Sequence, residues 1–245
     1  AKKREMFVIL DMHGAPGRQS GMDHSGRIGY NKLWSNKDYQ KQTAWLWNQI
    51  SQRYKKEPAV AAYDLLNEPW GNNERNLKKV VLKCYRAIRK NDDGHIVIFP
   101  GHTSGIDFYK NIRSVHLDNV IYTMHFYPGF FGWGSPAPYV HAEFLTAGLP
   151  LLEEKMESIN SPLLIGEFNV VIKNAGGGEM MRRYYDYYES LNWPATMWSY
   201  KVLNKNGGIG EGSWGMVTNG NKLADIDLTY ATKNEIEQWF ESFGT

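Results

Sequence analysis

The sequence predicts an α/β chain in which six βα units build a parallel sheet. Two observations carry this. Six short apolar runs are mostly continuous rather than alternating, as strands covered on both faces are. Between them lie longer segments with helical periodicity, so strand and helix alternate about six times, which implies a parallel sheet, either doubly wound or closed into a barrel.

The expected strands are Phe7–Met12, Val60–Leu66, His95–Pro100, Val120–His125, Leu163–Phe168 and Ala195–Tyr200. The first expected helix, Asp38–Tyr54, places Trp45, Leu46, Ile50 and Tyr54 at helical spacing. The second, Glu74–Lys90, does so with Leu77, Val81, Cys84 and Ile88. Leu151–Ser158, Glu179–Leu191 and Asn234–Phe243 complete the helices, and Pro58 and Gly94 punctuate helix ends. No Gly-x-Gly-x-x-Gly follows the first strand, which argues against a dinucleotide fold. No internal repeat or linker divides the chain, so residues 1–245 are expected to be a single domain, with 176–178 and 207–215 as loops.

Composition bounds the function. The 245 residues are 42% hydrophobic, enough for a sizeable core. The net charge is only +2 and no basic stripe stands out, so nucleic acid is not an expected partner. No apolar run approaches the ~20 residues that span a bilayer, and no membrane partner is expected. The single cysteine, Cys84, forms no intramolecular disulfide, and the opening Ala1-Lys2-Lys3-Arg4-Glu5 is not a signal peptide. Nine Trp and fifteen Tyr raise aromatics to 14%, which serves either a large aromatic core or rings lining a groove for a flat-faced ligand.

Position is more informative than composition. The apolar runs end in polar or aromatic residues just before a loop: Asp11-Met12-His13-Gly14, Asn67-Glu68-Pro69-Trp70, His125-Phe126-Tyr127-Pro128, Glu167-Phe168-Asn169 and Trp198-Ser199-Tyr200-Lys201. In parallel barrels catalytic residues lie at the C-terminal strand ends, so these are expected to converge. Glu68 and Glu167 are costly to bury unless paired or used. Either each is a structural partner of a cation or helix N-terminus, or together they hydrolyse glycosides, one protonating the leaving oxygen and the other attacking or activating water. A separation of about 5–5.5 Å gives retention and about 6.5–9.5 Å inversion. His13 and His125 also end strands, where metal ligation rivals substrate contact. No His-x-His and no zinc-spaced Cys/His cluster occurs, so no metal is expected. His95, His102, His116 and His141 read as structural or exposed, and no Gly-x-Ser-x-Gly elbow is present.

At these residues the chain resembles glycoside hydrolase family 5, retaining enzymes built on a TIM-type (β/α)8 barrel. The similarity runs nearly end to end. It is carried by Ile9-Leu10-Asp11-Met12-His13-Gly14-Ala15-Pro16-Gly17, Leu65-Leu66-Asn67-Glu68-Pro69-Trp70-Gly71, Met124-His125-Phe126-Tyr127-Pro128, Leu164-Ile165-Gly166-Glu167-Phe168, Met197-Trp198-Ser199-Tyr200-Lys201 and Gly212-Ser213-Trp214-Gly215-Met216. The resemblance implies Glu68 as acid/base, Glu167 as nucleophile and Asn67 as the residue holding the sugar 2-hydroxyl. It implies that Tyr127 touches the nucleophile, with His125 on the same rim. His13 and Trp198 would line the subsite of cleavage. Trp34, Trp70, Trp133 and Trp214 are weaker candidates for sugar platforms, and Trp45, Trp47 and Trp239 read as helix packing. The acid must hold its proton near neutral pH, which negative charge or apolar surface nearby would secure. No cofactor is needed.

The sequence departs from the family in having six βα units rather than eight. Its first strand matches the third of the family, so the first two units, with an arginine near the nucleophile, have no counterpart. No residue is assigned that arginine's role, and Arg18 and Arg27 are no more than candidate stand-ins. The fold expected is thus an incomplete TIM-type (β/α)8 barrel, strands 3–8 of the family, whose open apolar edges leave three outcomes: the chain is a piece of a longer protein, it stays an open and marginal barrel, or, as hypothesised here, a homo-oligomer covers the edges. The function implied is a retaining endo-β-1,4-glucanase, a cellulase working by double displacement. The alternatives are a β-1,3-glucanase or glucosylceramide-type glycosidase, suggested by His13-Gly14-Ala15-Pro16-Gly17, or a carbohydrate-binding remnant with little turnover. A β-glucan polymer or oligosaccharide would be the partner, and a polymer substrate predicts a secreted protein.

Overall fold

The computed structural model describes residues 1–109, 117–135, 137–171, 176–202, 217–218 and 231–241. The chain divides into two compact units, Ala1–Met124 with Leu151–Leu164, and His125–Pro150 with Ile165–Thr245. Strands β1 (Val8–Asp11), β2 (Val60–Asp64), β3 (Ile96–Pro100), β4 (Val120–Phe126), β5 (Leu163–Phe168) and β6 (Ala195–Met197) follow one another in a six-stranded sheet, β4 and β5 passing from the first unit into the second. All six expected strands are present, several of them shorter than the apolar runs. β2 ends at Asp64, yet Leu65 and Leu66 stay fully buried and the Leu65 N–H still donates to the Ile98 carbonyl.

In the first unit β1 pairs β2, β2 pairs β3 and β3 pairs β4, all parallel, with Leu10 opposite Tyr63, Tyr63 opposite Val97 and Val97 opposite Val120. β1 is an edge strand, and Met6, Phe7 and Ile9 beside or within it are exposed. Helix α1 (Lys37–Tyr54) starts where the Asn36 side chain accepts the Asp38 N–H, and α2 (Glu74–Arg89) where the Asn73 side chain accepts the Asn76 N–H. On α2 the expected stripe Leu77, Val81, Cys84 and Ile88 is completely buried. That burial pushes the Cys84 thiol up to about 12.

α1 forms where expected and Leu46, Ile50 and Tyr54 are half-buried, but Trp45 turns outward. Thr43, Ala44, Trp47 and Ser51 are buried, while Trp45 is 59% exposed. Small side chains let the helix approach closely and Trp47 fills the gap, its indole N–H donating to the Leu65 carbonyl. Trp45 is therefore not a packing residue. Beneath β2 and β3, Asp92 accepts the Tyr63 hydroxyl, the His95 N–H and the His95 ring. Arg89 ties the carbonyls of Asp92, His95 and Asp118 together.

The second unit pairs β5 and β6 in parallel, with Ile165 opposite Ala195. Helix α3 (Pro138–Glu143) and a π-helical turn, Phe144–Gly148, lie in a stretch where the sequence predicts no helix; α4 (Leu149–Ile159), which from Leu151 belongs to the first unit, follows. The wide turn accommodates Pro150, which has no N–H to donate. Gly148 is needed there, because a Cβ would meet the Phe144 ring at 2.3 Å. Helix α5 (Gly177–Ser190) buries Tyr184 and Tyr188 against Phe168, with Tyr188 edge-on at 5.2 Å. His141, fully buried, faces the Tyr184 hydroxyl at 3.1 Å, and its burial lowers its proton affinity. β7 (Lys201–Val202) and β8 (Val217–Thr218) form a short parallel pair, and α6 (Lys233–Glu241) is the last helix. His116, the whole of the expected loop 207–215 with Trp214, the side chain of Trp239, and the end of the last helix at Phe243 lie outside the described residues.

Candidate active site

In the first unit the candidate residues lie just past the ends of β1 and β2. The Met12 N–H donates to the Asp64 carbonyl and the Asn67 N–H to the Met12 carbonyl, so the parallel ladder continues beyond the strands. This holds His13 and Asn67 side by side. Asn67 Nδ2 lies 3.3 Å from His13 Nε2, and His13 Nδ1 lies 2.8 Å from Asp11 Oδ2. An amide nitrogen only donates, so Nε2 accepts and Nδ1 carries the proton given to Asp11. Asp11 thereby fixes the ring tautomer.

A residue that the sequence reading did not single out organises this region. Gln19 is completely buried. Its Nε2 donates to the carbonyls of His13 and Asn67, each at 2.8 Å, and its Oε1 accepts the Ala15 N–H at 2.9 Å. One amide thus joins the loop after β1 to the end of β2. Trp34 donates its indole N–H to the Gln19 carbonyl, which makes it a support for this joint; its ring is half-buried.

Glu68 follows directly. Its φ is +40°, in the left-handed region, although it carries a side chain and precedes a proline. Residues held in such sparsely populated conformations cluster at functional sites. Its side chain is 11% exposed, and His24 Nδ1 lies 3.0 Å from Oε2. The His24 ring stands edge-to-face with Trp70 at 5.0 Å. His24, too, was not singled out in the sequence. Arg18 packs its guanidinium over Gly26 and Gly14, where a Cβ would meet it at 2.6 Å and 2.9 Å, and Arg27 lies over the Tyr30 ring.

In the second unit Glu167, on β5, accepts the Tyr127 hydroxyl at 2.6 Å, and His125 Nδ1 lies 3.4 Å from the same oxygen. All three are largely buried; the Glu167 side chain is 12% exposed. A donor at this distance belongs to the short, charge-assisted class and holds the carboxylate oxygen in place. Trp198 follows β6, donates its N–H to the Phe168 carbonyl and is 43% exposed; its own carbonyl accepts Asn169 Nδ2. Trp133 packs against Phe126 and Phe144 and keeps 44% of its surface exposed.

His95 and His141 are structural, as expected, and His102 bonds locally to Ser104 and the Asn72 carbonyl. Among the described residues no helix is long and apolar enough to cross a membrane.

A model of the cellulase family, glycosyl hydrolase family 5, matches residues 1–204. The β-xylosidase of Phanerodontia chrysosporium is 34% identical over 143 residues, covering 58% of this chain and 30% of that protein. Endoglucanase C of Acetivibrio thermocellus is 30% identical over 131 residues, 53% of this chain and 37% of that one. The probable glucan 1,3-beta-glucosidase A of Emericella nidulans is 29% identical over 175 residues, 69% and 41%. The chain thus spans between 30% and 41% of the length of these relatives.

Among solved structures, Thermotoga maritima Cel5A in complex with cellobiose matches with a TM-score of 0.65 and 19% identity, over 99% of this chain and 74% of that one. The lactosyl-enzyme intermediate of endo-glycoceramidase II from Rhodococcus sp. gives 0.65 and 18%, over 87% and 58%. These likenesses concern the fold, an incomplete (β/α) barrel. With the family model matching 204 of 245 residues, the chain belongs to glycoside hydrolase family 5.

Proposed function

We propose that the protein is a retaining glycoside hydrolase that cleaves β-1,4-glucan, with Glu167 as nucleophile and Glu68 as acid/base. The observation that carries this reading is Glu167 itself. A carboxylate on a strand that is not at the sheet edge, gripped at 2.6 Å by the Tyr127 hydroxyl and largely buried, is held in one orientation, as an attacking oxygen must be. In the first step Glu167 attacks the anomeric carbon while Glu68 gives its proton to the leaving oxygen. In the second, Glu68 takes a proton from water, and that water releases the sugar from Glu167. Asn67, beside His13, is suited to hold the 2-hydroxyl, and exposed Trp198 to stack under a sugar ring. A polymeric substrate favours action outside the cell.

The endoglucanase relative supports cleavage of a glucan chain. A second reading, β-1,3-glucan, is favoured by the Emericella relative, whose match covers 69% of this chain. Reducing-sugar release from carboxymethylcellulose and from laminarin, with Glu167→Gln as control, tests both. Release from carboxymethylcellulose by the parent alone supports the first reading. Release from laminarin alone transfers the assignment to the second. No release from either by the parent would overturn both.

A further inference from the structure

We propose that Arg18 forms a subsite for a carboxylate carried by the glycan, so that the protein takes acid-substituted β-glucan in preference to the neutral polymer. This rests on the reading of the protein as a glycoside hydrolase above and narrows the substrate class of that site.

Arg18 is fixed in place by its backbone. It follows Gly17 in a turn where both residues lie in the left-handed region, at φ +77° and +62°, and its N–H donates to the Ala15 carbonyl. Glycine adopts that conformation without strain, and a residue with a Cβ does not. The turn is anchored on both sides. The Lys32 N–H donates to the Gly17 carbonyl and the Leu33 N–H to the Arg18 carbonyl, and the next residue is the completely buried Gln19. The side chain then runs back over the loop. A Cβ on Gly14 would meet its Nη1 at 2.9 Å, and one on Gly26 would meet its Cζ at 2.6 Å, so the guanidinium lies against bare backbone at both. Gly14 directly follows His13, and Gly26 lies two residues after His24, whose ring is 3.0 Å from Glu68 Oε2. The guanidinium is thus placed beside the candidate site in the first unit.

Its charge has no answer in the loop. Arg18 is half-buried, and among the described residues its guanidinium meets no carboxylate and makes no hydrogen bond. From Gly14 to Gly29 the loop carries two arginines, Arg18 and Arg27, against one acid, Asp23, whose Oδ1 accepts the His24 N–H. Asp11, on β1, lies 2.8 Å from His13 Nδ1 and is engaged there. A cation partly withdrawn from water without a counter-charge is unfavourable, and a carboxylate brought by the ligand relieves it. The planar fork of a guanidinium takes a carboxylate through two parallel bonds, which no arrangement of sugar hydroxyls matches in charge. Gly14 and Gly26 are both exposed, so the place where the guanidinium rests opens to solvent. An acidic substituent on the sugar chain is the ligand chemistry that fits.

The test compares two soluble β-1,4-glucans that share a backbone and differ in the charge of their substituents, carboxymethylcellulose and hydroxyethylcellulose. Calorimetric titration of the full chain with each polymer reads binding, and steady-state hydrolysis reads KM. The parent should bind carboxymethylcellulose more tightly, and the preference should shrink as sodium chloride rises from about 20 to about 500 mM and screens the pair. Arg18→Gln should weaken binding to carboxymethylcellulose and raise KM on it about tenfold, the scale of one charge-assisted contact, with both changed less than about twofold on hydroxyethylcellulose. Arg18→Lys keeps the charge but loses the fork, and should keep part of the preference. Arg53→Gln removes the same charge from the exposed side of α1 and should leave the preference as in the parent. No preference in the parent, a preference that survives in Arg18→Gln, or an equal loss in Arg53→Gln would each overturn the proposal. If Arg18→Gln does not fold, Arg18→Lys with parental preference at every salt concentration overturns it instead. If the parent binds with the expected preference but hydrolyses neither polymer, the glycosidase reading fails and the carboxylate subsite stands.

Discussion

Replacing Gln19 should cost several kcal/mol of stability, and the size of the loss follows from the hydrogen bonds. The side chain is completely buried and makes three of them, to the carbonyls of His13 and Asn67 and from the Ala15 N–H. Gln19→Ala leaves one buried donor and two buried acceptors unmet and opens a void. At about 1 kcal/mol or more for each stranded group, the loss is roughly 3–4 kcal/mol. For a chain of this size that is a fall of about 10 °C in Tm. Gln19→Glu separates bonding from packing. It keeps the shape but replaces the donating amide with an oxygen facing two carbonyls, so it should destabilise at least as much. Urea unfolding of the three proteins, with m unchanged, gives the comparison. Either variant within about 0.5 kcal/mol of the parent, the range of ordinary surface changes, would refute the reasoning.

Three further outcomes are expected. Tyr127→Phe removes the 2.6 Å bond to Glu167 but keeps the ring; kcat/KM should fall at least about tenfold while urea stability stays within about 1 kcal/mol. Asp92 would be raised by burial, but the bonds from the His95 N–H, the Tyr63 hydroxyl and the His95 ring outweigh this and hold it below 3.8. Its contribution is therefore fully present above that pH and lost as pH falls through the lowered folded value. The urea-stability gap between parent and Asp92→Asn should be constant from pH 5 to 7 and narrow below about pH 4. Edge strand β1, with Met6, Phe7 and Ile9 exposed, should draw two copies together, so light scattering should report a species larger than the monomer; a strict monomer would count against that association.

How much of this was legible in the sequence differed by element. The six strands were, because buried parallel strands read as unbroken apolar runs, and so was α2, whose Leu77–Ile88 stripe has no competitor. α1 was legible too, and so was the packing of Trp47, but Trp45 was misplaced because hydrophobicity pointed to it, whereas close packing selected the small Thr43, Ala44 and Ser51. The helical run from Pro138 was hidden by Gly148 and Pro150, which read as breakers until a π turn absorbs them.

Glu68, Glu167, Asn67 and Tyr127 stood out because polar groups at the ends of apolar runs are conspicuous. Gln19 and His24 did not. Each lies in the loop after β1, where no periodicity exists, and meets backbone carbonyls or a carboxylate far away in sequence. The one available signal was a run of small and turn-forming residues, Gly14 to Gly29, too rich in glycine to be anything but a built loop.

The central claim is that Glu167 forms a covalent bond to the sugar. A 2-deoxy-2-fluoro β-cellobioside with a dinitrophenyl leaving group slows both steps but leaves the second slower, so the intermediate accumulates. Peptide mass spectrometry of the treated protein should find the fluorocellobiosyl group on Glu167, and none in Glu167→Gln. A label on another residue, or an unlabelled protein that nonetheless hydrolyses β-glucan, would contradict the account.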